Sequence, residues 1–211
     1  MGLTGLPELT ELPEQRRIGL TGGIATGKSS VGRLLVQRGL PLLDADVYAR
    51  EALAPGSPGE RAVQERYGEG VRAPNGAINR AALGQIVFGD PAERRWLEGL
   101  VHPIVRHRFE QGLQQHAQAA AVVLMIPLLF EAGLESLCRE VWLVDCDETQ
   151  QLQRLMARDR LSEEAARARI GCQWPLARKR TLATVVIDNR GLPTALVTQV
   201  EQALRLPLRR P

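Results

Sequence analysis

Residues 22–30 read Gly22-Gly23-Ile24-Ala25-Thr26-Gly27-Lys28-Ser29-Ser30. Gly22, four free positions and then Gly27-Lys28-Ser29 satisfy the G-x-x-x-x-G-K-[ST] pattern of a phosphate-binding loop. The flanks supply the context that the pattern requires. Upstream, Arg17-Ile18-Gly19-Leu20-Thr21 is a short, largely apolar run that reads as a buried strand. Downstream, Val31, Leu34 and Leu35 recur at helical spacing until Gly39 offers a stop.

The residue types follow from the charge of a triphosphate. Its cradle needs backbone N–H groups pointing inward, and side chains would block the approach, so Gly22, Gly23 and Gly27 keep it open and tolerate positive φ. Ala25, Thr26, Gly27 and Ser30 belong to the same ATP-binding turn, and the following helix adds its N-terminal dipole. Lys28 supplies a compact cation that can follow the β- and γ-phosphates through transfer. Ser29 offers a hydroxyl to Mg²⁺, which prefers hard oxygen ligands. A glycine-rich turn that binds nothing is the competing reading. Against it, the chain holds 27 Lys plus Arg, of which only Lys28 and Lys179 are lysines. So Arg-biased a composition would put Arg at an indifferent position, and the motif position holds Lys.

At 211 residues the chain can bury a full core, and 44% hydrophobic and 24% charged residues suit a soluble globular protein. No apolar run approaches the ~20 residues of a membrane span. Residues 1–15, with Glu8, Glu11, Glu14, Pro7 and Pro13, lack the basic start and apolar stretch of a secretory signal and read as a loose extension. Cys138, Cys146 and Cys172 form no C-x-x-C pair, and with three histidines there is no zinc pattern. A reducing cytoplasm is the simplest setting. A net charge of +3 is too small an excess to argue for nucleic acid. The arginines between 150 and 180 are concentrated enough that some could face an anionic ligand and others a solvated helix face.

The spacing predicts a strand at 16–21, a helix at 27–38, a strand near 41–43 and a helix through Glu51. Residues 55–116 read as a helical insertion without strand signals. Strands at 121–126, 140–144 and 183–187 then alternate with helices at 148–157, from Ser162, and at 192–204. Alternating strands and helices imply an α/β fold, a mostly parallel sheet covered on both faces, with its ligand at the C-terminal ends of the strands.

Asp44 and Asp46, just past the second strand, could split roles between a metal-bound water and a substrate hydroxyl, or Asp44 could merely cap the next helix. No acid follows the strand at 121–126, where Ile126-Pro127 stands, so the Asp44/Asp46 pair is the better magnesium-side candidate. His102 and Arg106 could meet an anionic acceptor. Arg154 and Arg158 lie four apart, on one helix face, and could close over a triphosphate to neutralise charge during transfer. The N-K-x-D base-recognition segment of a GTPase is absent from the sequence.

These residues together resemble the dephospho-coenzyme A kinase family over about residues 16–200. The resemblance rests on IGLTGGIATGKSS at 18–30, DADVYAR at 44–50, LVHPIVR at 100–106, IPLLFEAG at 126–133, QLQRLMARD at 151–159 and VIDNRG at 186–191. It implies transfer of the γ-phosphate of ATP, with Mg²⁺, to the ribose 3′-hydroxyl of dephospho-coenzyme A. It also implies a nucleoside-monophosphate-kinase-like P-loop core at 16–54 and 117–205, an acceptor-binding insertion at 55–116 and a lid at about 155–168. By position Asp46 matches the general base, Lys28 and Ser29 the ATP and Mg²⁺ contacts, Pro127, Leu128 and Leu129 a segment beside the acceptor, and Asn189 a residue near adenine. The family often has Gly-Ser where this chain has Ala25-Thr26, and a positive φ at 25 would strain alanine by about 1 kcal/mol or more. The competing functions are a P-loop kinase of nucleoside monophosphates or sugars, and a nucleotide-binding regulator.

Overall fold

The apolar run ahead of the glycine-rich loop is the central strand of a five-stranded sheet. The structure is a computed structural model that describes residues 15–207. Strand β1 (Arg16–Gly22) leads into helix α1 (Lys28–Gln37), β2 (Leu42–Asp44) and α2 (Ala45–Ala52). Three helices follow, α3 (Pro58–Tyr67), α4 (Arg80–Gly89) and α5 (Pro91–Gln115). The chain then returns to the sheet with β3 (Ala121–Met125), β4 (Glu140–Asp145), α6 (Glu148–Asp159), α7 (Glu163–Gly171), α8 (Leu176–Leu182), β5 (Val185–Asp188) and α9 (Pro193–Arg205). All strand pairs are parallel, in the order β2-β3-β1-β4-β5. The loop therefore leaves the carboxyl end of the middle strand, where connections depart to both sides and an α/β sheet opens its binding crevice.

Side-chain alternation along the strands divides the core in two. Ile18, Leu20, Val123, Trp142 and Val144 pack with Val31 and Leu35 of α1 and Leu196 and Val200 of α9. Val122, Leu124 and Val141 face the other way, against Val105 and Phe109 of α5. With both faces covered, all six residues of β4 are buried, which is why it reads as a continuous run rather than an alternating one. The insertion has its own smaller core of Leu53, Val63, Val71, Ile78 and Leu83, and Val101 touches both this cluster and the α5 side of the sheet.

Local signals end and start the helices where the sequence placed them. Ser57, Asn79, Asp90 and Ser162 each accept a first-turn N–H as N-caps, with proline just inside α3 and α5. One feature differs from the sequence reading: helix α8 has no counterpart in it, because seven residues after Pro175 are too few to display a period. His102-Pro103 lies inside α5, a 25-residue helix that continues through Pro103. The extension expected at 1–15 falls outside the described residues except for Gln15, whose Nε2 donates to His116 O at 2.6 Å. No helix among the described residues is long and apolar enough to cross a membrane.

Candidate active site

The glycine-rich loop is held open from beneath. Gly27 caps α1 at φ 96°, a conformation costly to any other residue, and a Cβ there would overlap Asn189 Nδ2. Asn189 Nδ2 donates instead to Thr26 O at 2.8 Å, and the buried Thr26 hydroxyl donates to Gly23 O at 2.9 Å. A Cβ on Gly22 would lie 2.6 Å from Thr26 Oγ1 and 2.8 Å from Val144 O, so this close approach needs glycine. The Ile24 peptide is clamped on both sides. Its carbonyl accepts from Gln151 Nε2 at 2.9 Å, and its N–H donates to Gln173 Oε1 at 2.8 Å. Ala25 does take a positive φ, 60°, and carries the strain expected for alanine there. At the start of α1 the N–H groups of Lys28 and Ser29 have no partner among the described residues, which is the arrangement that receives an anion.

In front of the loop lies a cavity of about 750 Å³. Ile24, Ala25, Lys28 and Ser29 form one end, beside Arg158 of α6 and Gln173. Helix α2 contributes Asp46, Ala49 and Arg50, Leu53 follows at its C-cap, and α4 contributes Arg80 from its first turn. Helix α5 presents Leu97, Val101 and Val105 in one row and Glu98 and His102 in the next, the i, i+4 rows of a single face. The segment after β3 closes the wall with Ile126, Pro127, Leu128, Ala132 and Leu134. The cavity thus combines the cations Lys28, Arg50, Arg80 and Arg158 and the acids Asp46 and Glu98 with a largely apolar wall from α5 and the segment after β3.

Lys28 and Asp46 face this space together. Burial is the largest influence on each: it pushes the Asp46 carboxyl above the usual carboxylate range, with Lys28 pulling partly back. Burial likewise holds the Lys28 ammonium below its usual value, opposed by Asp46 and then Asp44. Asp46 reaches solvent through the cavity mouth, yet the surrounding protein removes enough water for the desolvation to dominate. Asp44 caps α2 by accepting Asp46 N–H at 2.8 Å, and it lines a side groove that also contains Ser29. Ser29 borders both spaces, so the donors around it are a hydroxyl and carboxylates, a set suited to Mg²⁺. Among the described residues no three His, Cys, Asp or Glu side chains converge on a metal, so phosphate oxygens and water would have to complete the shell.

The structure gathers Ala25, Lys28, Ser29, Asp46, His102, Pro127, Leu128 and Arg158 at one cavity. Others stand elsewhere. Leu129 is fully buried among the core residues of the α5 side, not on the acceptor wall, because the turn after Pro127 sends it inward. Arg106 points away from the cavity and pairs with Glu110 at 3.3 Å, as its one-turn spacing favours. Arg154 does not close over the loop. Its Nη2 donates to Asn189 O at 3.0 Å, holding the β5 exit beneath the loop, and its Nη1 is buried without a partner among the described residues. Ser30 accepts from Arg33 Nη2 at 3.3 Å on the far side of α1. Arg167 and Arg169 pair with Glu163 and Asp159 on solvated helix faces.

Four participants escaped the sequence reading. Arg50 lies one helical turn after Asp46, a signal that could have been used. Arg80, Gln151 and Gln173 are brought in by tertiary packing alone. A further device is the ion pair of the fully buried Lys179 with Glu131 Oε1 at 2.7 Å, an oxygen that also accepts from Trp174 N at 2.9 Å. Removing either partner of such a pair strands a buried charge, at a cost of about 3–5 kcal/mol.

A phosphate cradle opening the helix after the central strand, facing a walled cavity lined by a lysine and a carboxylate, is the construction of a P-loop kinase, and the chain is of that class. A family model described as dephospho-CoA kinase matches residues 16–194. A dephospho-CoA kinase from Synechococcus sp. (strain CC9605) is 67% identical over 193 residues, covering 91% of this chain and 93% of that relative. Among solved structures, a Thermus thermophilus protein is 36% identical with a TM-score of 0.79, covering 90% of this chain and 96% of that one. A dephospho-CoA kinase from Campylobacter jejuni is 26% identical with a TM-score of 0.67, covering 90% and 95%. The chain belongs to the dephospho-CoA kinase family, and it is an ATP-dependent kinase rather than a nucleotide-binding regulator.

Proposed function

We propose that this enzyme transfers the γ-phosphate of ATP to the ribose 3′-hydroxyl of dephospho-coenzyme A in the cytoplasm. The observation that carries the reading is a single cavity lined by the loop residues, Lys28 and Asp46, by Arg50 and Arg80, and by a largely apolar set from α5 and the segment after β3. A nucleotide with a flexible pantetheine tail needs such a combination. Arg50 and Arg80 suit its diphosphate, and Leu53, Leu97, Val101 and Leu134 suit the tail. The insertion at 55–116 would bind the acceptor, and the stretch at about 155–168, across the end of α6 and most of α7, would act as the lid.

In this mechanism the loop N–H groups and Lys28 hold the β- and γ-phosphates of ATP, with adenine toward Asn189. Asp46 accepts the proton of the ribose hydroxyl. The hydroxyl oxygen forms a bond to the γ-phosphorus, the bond from that phosphorus to the β,γ-bridging oxygen breaks, and ADP leaves with the electron pair. The raised Asp46 value makes its carboxylate a stronger base than an ordinary one. Lys28 and Arg158 offset the charge that moves onto the leaving oxygen. A bound Mg²⁺, held from Ser29 with Asp46 or Asp44 reached through water, would neutralise phosphate charge and fix its geometry. His102 and the Pro127-Leu128 edge would orient the acceptor.

The test is a coupled ADP-release assay with MgATP, with and without dephospho-coenzyme A, beside the Lys28→Ala protein. ADP release that depends on the acceptor, is lost in Lys28→Ala and yields coenzyme A supports the reading. Release indifferent to dephospho-coenzyme A but stimulated by a nucleoside monophosphate or a sugar overturns the acceptor assignment.

A further inference from the structure

We propose that Gln173 is a neutral hydrogen-bond donor to the phosphoryl group in transit, aimed by the loop that holds the nucleotide. This inference rests on the kinase reading of the same cavity. Gln173 lies between α7 and α8, and its Oε1 is committed to Ile24 N–H at 2.8 Å. An amide with its oxygen fixed has its NH₂ group fixed as well. Among the described residues that NH₂ group has no acceptor, and Gln173 borders the cavity beside Ile24, Lys28 and Arg158. In the proposed role those free donors are directed into the cavity that Lys28 and Asp46 also line.

The backbone behind Gln173 is anchored more firmly than a surface turn requires. The next N–H, that of Trp174, donates to Glu131 Oε1 at 2.9 Å, and Lys179 locks the same oxygen at 2.7 Å. Lys179 also reaches Pro127 O at 3.4 Å, and the Arg178 guanidinium lies 3.3 Å over the Trp174 ring. The anchor thus joins the Gln173 turn to the Pro127 segment of the acceptor wall, and the side chain joins that turn to the donor loop. A donor fixed to both halves of the site needs little reorganisation during transfer. Its neutrality matters in a chain whose basic residues are nearly all arginine: a third cation here would repel Lys28, already held below its usual value by burial.

The decisive variant is Gln173→Glu, which keeps an oxygen for Ile24 N–H and replaces the NH₂ donor with an oxygen. Turnover with dephospho-coenzyme A and MgATP is measured with ADP affinity by calorimetry, since ADP lacks the transferred group. The expected result is a fall in kcat of roughly 10²-fold, the scale of one lost transition-state donor, exceeding by at least about tenfold any loss of ADP affinity caused by the added negative charge. Unchanged kcat in Gln173→Glu would mean that Gln173 only braces Ile24, and would overturn the proposal. So would a kcat loss matched by an equal loss of ADP affinity. If Gln173→Glu does not fold, Gln173→Ala decides: a kcat fall of at least about tenfold with ADP affinity retained supports the donor role, and unchanged kcat refutes it. Wild-type protein without acceptor-dependent turnover would bring down the functional reading and this inference together. Wild-type turnover beside a fully active Gln173→Glu would bring down this inference alone.

Discussion

The two ends of the cavity are built differently. On the proposed reading, the donor end is nine consecutive residues that would bind through backbone groups, and their geometry excludes a Cβ at Gly22 and Gly27. The proposed acceptor end is assembled from residues of α2, α4, α5 and the segment after β3, with side chains as its working parts. A lesion at the donor end should therefore disturb shape, and with it stability and nucleotide binding together. A lesion at the acceptor end should remove one function and leave the fold and the nucleotide alone.

Asp46→Asn tests the acceptor end most severely. Loss of the proposed base should lower kcat by about 10²–10⁴-fold with ADP affinity nearly unchanged. The pH profile sharpens the test. Because burial raises the Asp46 value, the acidic limb of kcat/KM should fall above the ordinary carboxylate value of about 4, and it should vanish in the asparagine variant. The sign of the stability effect is fixed too. With its folded value raised, Asp46 binds more protons in the native than in the unfolded state between the ordinary and the raised values. Its contribution to stability therefore declines as pH rises through that window. Chemical denaturation of the asparagine variant should lack this slope.

Gly27→Ala is the matching lesion at the donor end. The left-handed conformation costs alanine about 1–2 kcal/mol, and displacement of Asn189 from Thr26 O forfeits a hydrogen bond of about 1 kcal/mol. Melting temperature and ADP affinity should fall together. A variant with full stability that binds no ADP would break the comparison, because the glycine would then serve the ligand alone.

The same contrast explains what the sequence disclosed. The loop was legible because its chemistry is local: glycines, Lys28 and Ser29 at fixed spacing between a strand and a helix. The parallel alternation of strands and helices and the cap at Ser162 followed from period and composition, whereas the strand order and the caps at Ser57 and Asn79 are visible only in the fold. The i, i+4 spacing by which Arg154 and Arg158 could close over a triphosphate fixes a helix face but not what that face meets. Arg154 meets Asn189 O. Gln173 and Arg80 could not be found, since a glutamine in a short turn and an arginine at a helix start have no pattern of their own. Lys28 marks the loop, and the only other lysine, Lys179, is the buried cation behind the Gln173 turn.

A smaller effect is expected from Arg80→Ala. Arg80 is exposed, donates to Arg50 O at 3.1 Å and borders the cavity from the insertion side. Truncation should raise KM for dephospho-coenzyme A about tenfold, the value of one charge-assisted contact, while KM for ATP and the melting temperature stay within error. A rise in KM for ATP instead would place the acceptor's diphosphate elsewhere and blur the division between the two ends.

The finest test lies at Ala25, the one place where the donor end departs from its own logic. Its φ of 60° costs alanine about 1–2 kcal/mol, and glycine would release that strain while losing about 0.4–1 kcal/mol through a freer unfolded chain. Ala25→Gly should therefore stabilise the protein by about 0.5 kcal/mol, visible as a rise of roughly 1–2 °C in melting temperature. Nucleotide affinity should stay put, because relief of the same left-handed strain acts alike before and after phosphate binds. A several-fold gain in ADP affinity at unchanged melting temperature would mean the reverse: the free loop relaxes at Ala25, and phosphate binding drives it into the left-handed turn. In that case the donor end would be shaped by its ligand rather than before it, and the contrast with the acceptor end would narrow to one of residue type.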